Sequence, residues 1–134
     1  MFVALPQKEP LVWTNHALAK MQHYRLTQNK IKNVLRSPFR VEEGIAANTI
    51  AAMIPNKLVS PRETNTSKKP SVFNNWGRVY KHHKEEIWTM YQKRNGQIFI
   101  ISAWRYPGES PVNKPLEIPP DVYDDLNAFL KETI

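Results

Sequence analysis

Histidine, lysine, arginine and tyrosine are the only strong proton-transfer and anion-holding groups on offer besides carboxylates, because the chain has no cysteine. That absence removes disulfide frameworks, thiolate metal sites and cysteine nucleophiles together. Stepping about 100° per residue along a helix from His16 puts His16, Lys20 and His23 on one side. Arg40, Lys81, Tyr91 and Arg105 would project from strands. Cleavage of RNA without a metal needs a base for the 2′-hydroxyl, cations for the crowded phosphate and an acid for the leaving oxygen. These four residue types fill every role. Plainer uses exist for each: His16 completing a helix cap, Lys20 solvated, Tyr91 packing on Ile100, Arg105 pairing with Glu86 across a hairpin.

Other chemistries find little support. His16 and His23 share a helix face but lie two turns apart, about 10 Å, too far for one ion. His82 and His83 are adjacent, so on a strand they point to opposite faces. No carboxylate set resembles a two-metal nuclease. Four glycines, none in a glycine-rich loop before a helix, make no phosphate cradle. Serine-hydrolase signatures are absent. The expected site uses neither metal nor cofactor.

Charge points to the partner. Nineteen Lys and Arg against twelve Asp and Glu leave the chain at +7. Such an excess favours polyanions through counterion release, so RNA is the expected partner. The opening residues carry Lys8 and Glu9 before any apolar run long enough for a signal peptide, and no stretch reaches the roughly 20 apolar residues of a membrane span. These features predict a cytoplasmic protein without a membrane partner.

The elements that would position those groups follow from local patterns. The 134 residues suit one domain, with its core over about 11–106. Leu11-Val12-Trp13 reads as a strand, and Thr14 or Asn15 caps a helix whose apolar arc is Tyr24, Ala17, Met21 and Leu18. Thr27 caps a second short helix with Ile31, Val34 and Leu35 inward, and Pro38 ends it. Phe39 to Glu42 and Thr49 to Ile54 alternate as an antiparallel pair. Residues 55–71 read as a long mobile loop. Arg78 to His82 can add a strand. Pro119-Pro120-Asp121 begins a last helix, about 120–133, with Val122, Leu126, Phe129 and Leu130 as an apolar stripe.

Asn95-Gly96 is the strongest local signal, favoured at the positive φ angles of a type I′ hairpin turn. Its register pairs Tyr91 with Ile100, Met90 with Ile101, Trp88 with Ala103, Ile87 with Trp104 and Glu86 with Arg105. Both faces of the hairpin are apolar, with Trp88, Met90, Phe99 and Ile101 on one and Ile87, Tyr91, Ile100 and Trp104 on the other, which predicts a central place in the sheet. Helices cover one face. The other is covered too, or forms an aromatic-floored surface on which Trp104, with His23, Arg40 and Lys81 around it, would hold nucleic acid. The fold class is α+β: an N-terminal strand and two short helices on a mostly antiparallel sheet of four to five strands, plus a C-terminal helix.

The order strand, helix, helix, antiparallel sheet resembles the RelE/ParE toxin superfamily, the compact ribosome-dependent endoribonucleases and gyrase poisons of toxin–antitoxin pairs. Thr14-Asn15-His16-Ala17, then Met21, Arg25, Ile31, Val34-Leu35 and Pro38, is similar to the T-x-H-A…R-M…R-G-I…V…V-L…P opening of an uncharacterised bacterial domain grouped with that superfamily. Ile100 to Arg105 resembles its closing strand, so the likeness covers Leu11 to Arg105 without the 55–71 loop or the last helix. Lys20 stands where that pattern has Arg, and Tyr24-Arg25-Leu26 replaces Arg-Gly-Ile. The resemblance implies metal-free mRNA cleavage, with His16, Arg25 and Arg105 at matching positions joined by Lys20 and Tyr91. It also implies ribosome-bound mRNA and an acidic antitoxin protein as partners. The alternatives are a non-catalytic RNA or single-stranded nucleic-acid binder and a protein-interaction module.

Overall fold

The computed structural model describes residues 9–43, 46, 48–59, 72–73, 79–80, 82–112 and 114–132. The elements are β1 (Leu11–Trp13), α1 (Asn15–Tyr24), α2 (Gln28–Arg36), β2 (Arg40–Glu43), β3 (Thr49–Val59), β4 (Val72–Phe73), β5 (Val79–Tyr80), β6 (His82–Arg94), β7 (Gln97–Pro107) and α3 (Pro120–Glu132). Five strands form one sheet in the order β1-β7-β6-β3-β2, and β4 pairs with β5 separately. Among the described strands only β1 runs parallel to its neighbour, so the α+β class and the mostly antiparallel sheet hold. Among the described residues no helix is long and apolar enough to cross a membrane.

Side chains of threonine start both early helices. Thr14 Oγ1 accepts from Ala17 N–H at 3.1 Å, and Thr27 Oγ1 accepts from Lys30 N–H at 3.1 Å, each satisfying a donor the helix leaves open. The end of α1 is a Schellman turn: Arg25 stands in the left-handed region at φ 58°, its N–H donates to the Gln22 carbonyl, and Leu26 N–H reaches back to Met21. Arginine fills a position that glycine occupies most easily, and buried Leu26 packs in the same cluster as Met21 and Ala17.

Two corrections concern strands. β3 continues through Val59, paired with β6, so the first part of the expected 55–71 loop is strand, and the remainder lies outside the described residues. Pro55 is tolerated there because its ladder position needs no donor of its own. The Asn95-Gly96 turn adopts positive φ at both residues, 52° and 75°, and its register runs as expected from Arg94↔Gln97 to Tyr91↔Ile100. A bulge then makes Ile101 an extra residue, so Met90 faces Ser102, Trp88 faces Trp104 and Ile87 faces Arg105.

That one-residue slip redistributes every later side chain of β7. Trp104 moves to the α3 face, where it stacks on Trp88 with ring centroids 6.0 Å apart and planes 3° from parallel. Arg105 moves to the α1 face. On the β1 side of the strand, the Ile100 carbonyl accepts from the Thr14 hydroxyl at 2.7 Å and from Thr14 N–H at 3.4 Å. One threonine therefore starts α1 and ties it to the sheet.

Both faces of the sheet are covered. α1 and α2 bury Ala17, Met21, Ile31, Val34 and Leu35 against Ile54, Ile87, Tyr91 and Ile100. α3 buries Val122, Leu126 and Phe129 against Met53, Trp88, Met90, Ile101 and Trp104. Leu18 and Leu130, expected in apolar stripes, are 40% and 36% exposed because each lies at the margin of its arc.

A buried carboxylate closes the α3 face. Glu86, 1% exposed, accepts from Trp88 Nε1 at 2.9 Å, from Ser110 N–H at 3.0 Å and from Ser110 Oγ at 2.6 Å, and lies 2.8 Å from His83 Nε2. Burial alone would raise its pKa, yet the bonds from His83, Ser110 and Trp88 hold it below the ordinary carboxylate value. A group so depressed stabilises the fold above the unfolded pKa and loses that contribution as pH falls through the folded one.

Glu86→Ala strands these buried donors and is expected to cost about 3 kcal/mol in urea unfolding at neutral pH. The advantage of wild type over Glu86→Gln should be complete above about pH 4.5 and fade under acid, as followed by melts across pH 2–6.

Candidate functional site

The described side chains among those singled out above fall into five environments. His16 and Lys20 lie on the shoulder of α1 that meets α3. Lys20 Nζ is 2.8 Å from Asp125 Oδ2 and 3.4 Å from Asp121 Oδ2, and His16 Nδ1 is 3.7 Å from Asp125 Oδ1. Asp125, itself buried, also accepts from Ser102 Oγ at 2.8 Å. Burial would lower the Lys20 pKa, but the hydrogen bond and charge of Asp125 and then Asp121 raise it above the ordinary lysine value. The stripe expected to face an anion is thus faced by two aspartates.

Tyr91 belongs to the core under α1 and α2, 1% exposed, and burial pushes its phenol up to about 12. It keeps its proton at neutral pH and reaches no solvent. Its packing role is the one its burial supports.

Arg105 serves the helix end. Nε donates to the Tyr24 carbonyl at 2.7 Å, Nη2 to the Arg25 carbonyl at 3.2 Å, and Nη1 to Glu85 Oε2 at 2.6 Å. Cations are favoured at a helix C-terminus, where the last carbonyls lack partners. Its carboxylate partner is Glu85 and not Glu86, a consequence of the bulge. Burial would raise the Glu85 pKa, but Asn56, Arg105 and Lys57 lower it.

Arg40 and Trp104 are interior parts of the α3 face. The Arg40 guanidinium donates to Glu42 at 2.7 Å, to Ser110 Oγ at 2.6 Å and to the Pro111 carbonyl at 3.0 Å, and it lies 5.4 Å over the Trp88 ring. Trp104 is fully buried beneath that ring. The open aromatic floor is therefore replaced by a closed Arg40–Trp88–Trp104 stack. Lys81 lies outside the described residues.

His23 and Arg25 remain exposed at the α1–α2 turn. Around them stand residues that the search for catalytic types passed over. Between Thr14 and Phe39 the sequence has five Lys and Arg and no Asp or Glu. On α2, Asn29, Asn33 and Arg36 are exposed on the side opposite Ile31, Val34 and Leu35, with Lys32 and Lys30 half-buried on its two shoulders. Arg25, Lys30, Lys32 and Arg36 form no ion pair among the described residues, and exposed Gln22 and Gln28 add further donors. The signal that could have found this surface was the uninterrupted absence of acidic residues, which a hunt for histidine and tyrosine overlooks.

Charge separates by element. From Gly108 to Ile134 there are six Asp and Glu against two Lys, and two of those acids neutralise the Lys20 shoulder. The arrangement can hold an extended anion along the α1–α2 turn. It brings His16 and Lys20 together, and keeps Tyr91 and Arg105 apart from them.

The Lys20–Asp125 pair is 14% and 10% exposed at its side chains. A double-mutant cycle of Lys20→Met and Asp125→Asn is expected to give a coupling of about 1 kcal/mol. Because the folded lysine pKa is raised, the coupling should hold from neutral pH up to pH 10.5 and vanish as pH rises through the folded value.

Comparison with protein-family models, with curated proteins and with solved structures finds no match. The functional reading therefore rests on the geometry of the chain itself.

Proposed function

We propose that this domain binds RNA or another single-stranded nucleic acid along the α1–α2 layer. The observation that carries the reading is the acid-free stretch from Thr14 to Phe39, whose Arg25, Lys30, Lys32 and Arg36 have no carboxylate partner among the described residues. Cations without such partners release counterions when they meet phosphates, and that release supplies most of the affinity in sequence-independent binding. Exposed Gln22, Gln28, Asn29 and Asn33 add neutral donors and acceptors for sugars and base edges.

Metal-free cleavage of mRNA, the activity implied by the RelE/ParE resemblance, is the second reading. It retains the order of elements in its favour. Against it, a general base and acid must stand within hydrogen-bond reach of one reacting phosphate, whereas Tyr91 is buried and Arg105 is committed to α1 and Glu85. An acidic partner protein would use the same basic layer as RNA.

A fluorescent ten-nucleotide RNA should bind with a log–log salt slope near −3, about −0.7 for each of four phosphate contacts. Replacing Arg25, Lys30, Lys32 and Arg36 together by Gln should bring the slope close to zero. Arg25→Gly is the informative single change, since glycine relieves the left-handed turn by about 1 kcal/mol while removing one contact: melting temperature should hold or rise as affinity falls. Salt-independent or undetectable binding sinks the proposal, and specific shortening of the RNA by purified protein, abolished in His16→Ala, moves the conclusion to the second reading.

A further inference from the structure

A cavity of about 260 Å³ opens beside the first turn of α1, between the β1 edge of the sheet and the C-terminal half of α3. Its lining includes Val12, Thr14, Asn15, His16, Phe99 and Phe129. Val12 and Phe99 are partners in the parallel β1–β7 ladder. The Phe99 and Phe129 rings stand 5.8 Å apart at 50°, and the Arg94 guanidinium lies 5.0 Å over Phe129. The rim is polar: Asn15 is exposed, and the His16 imidazole is 31% exposed.

We infer that this cavity receives one unstacked nucleobase of the bound strand, an inference that rests on the nucleic-acid reading for its partner. The volume lies below the roughly 300 Å³ at which pockets begin to suit drug-sized ligands, and suits one flat ring system. The half-buried Phe99 ring gives a base a π-face to stack on, the device by which proteins hold single strands, while Phe129, buried behind it under Arg94, backs that wall. The exposed amide of Asn15 supplies both a donor and an acceptor, as the edge of a base requires. Position supports the same occupant. His16 and Arg25 are nine residues apart on or at the end of α1, about 14 Å along the axis, or about four stacked nucleotides at 3.4 Å each. One strand can keep its phosphates on the basic turn and place a base in the cavity.

Uncharged ribonucleosides separate this from phosphate attraction. Adenosine, guanosine, cytidine and uridine titrated into labelled full-length protein should give saturable NMR shifts at the Thr14–Ala17 amides and the Phe99 and Phe129 rings, with at least one base binding in the millimolar range. Val12→Phe, which fills the cavity, should abolish those shifts. A ten-nucleotide RNA should bind about tenfold tighter than an abasic phosphodiester of the same length, and Val12→Phe should erase that difference while preserving the salt dependence. No saturable nucleoside shift at these residues in the unmodified protein overturns the base site, whatever the variant does. Equal salt-dependent binding of the two strands also overturns it and leaves the α1–α2 proposal standing. Nucleoside shifts without RNA binding keep the base site and overturn the proposed role of α1–α2.

Discussion

The Asp125 carboxylate holds three elements at once. It sits on α3, accepts from Ser102 on β7 and meets Lys20 and, at longer range, His16 on α1. Without a counter-charge a buried carboxylate is costly, and without a carboxylate the shoulder of α1 would carry a half-buried ammonium. Each group makes the other tolerable. The pairing anchors α3 over the edge of β7 beyond the short β1 ladder, and with α3 in place the Trp88–Trp104 face becomes interior.

This contact changes what the positive charge of the chain can do. A count of +7 suggests a generally basic surface, but the charge is unevenly used. Part of it is internal cement: Lys20 to Asp125 and Asp121, Arg105 to Glu85, Arg40 to Glu42 and the Ser110 segment. What remains uncompensated among the described residues of the helical layer gathers at the α1–α2 turn and on the outer side of α2. Long-range attraction of a polyanion depends on that residue of charge and not on the total.

Three polar side chains share one use. Glu86 collects donors from β6 and from the segment after β7, Arg105 satisfies the last carbonyls of α1, and Thr14 joins a helix start to the bulged strand. Each side chain has the chemistry of a catalytic or binding residue and spends it on an orphan group that the backbone or a neighbour leaves open. For that reason residue type alone nominated Arg40, Arg105 and Tyr91. Type reports what a group can do, while burial and partners decide whether any capacity is left over.

Much of the fold was legible because its causes are local. Thr14 and Thr27 as caps, Pro38 as a stop, Pro120 as a helix start, Asn95-Gly96 as a turn and the apolar stripes of α2 and α3 all depend on residues within about two turns or one hairpin of each other. The register near the turn came from the same source and held to Tyr91↔Ile100. Beyond that point the outcome depended on elements far away in the chain. The bulge at Ile101 accompanies a Thr14 hydroxyl arriving 86 residues earlier to take the Ile100 carbonyl, β1 chose a parallel partner, and β3 extended past Pro55 because β6 was long enough to pair with it. The candidate site divides in the same way: the sequence on its own specified an acid-free pair of helices, whereas only the folded chain could decide that α3 would neutralise one shoulder and leave the other open, since a charge has no direction until its neighbours are in place.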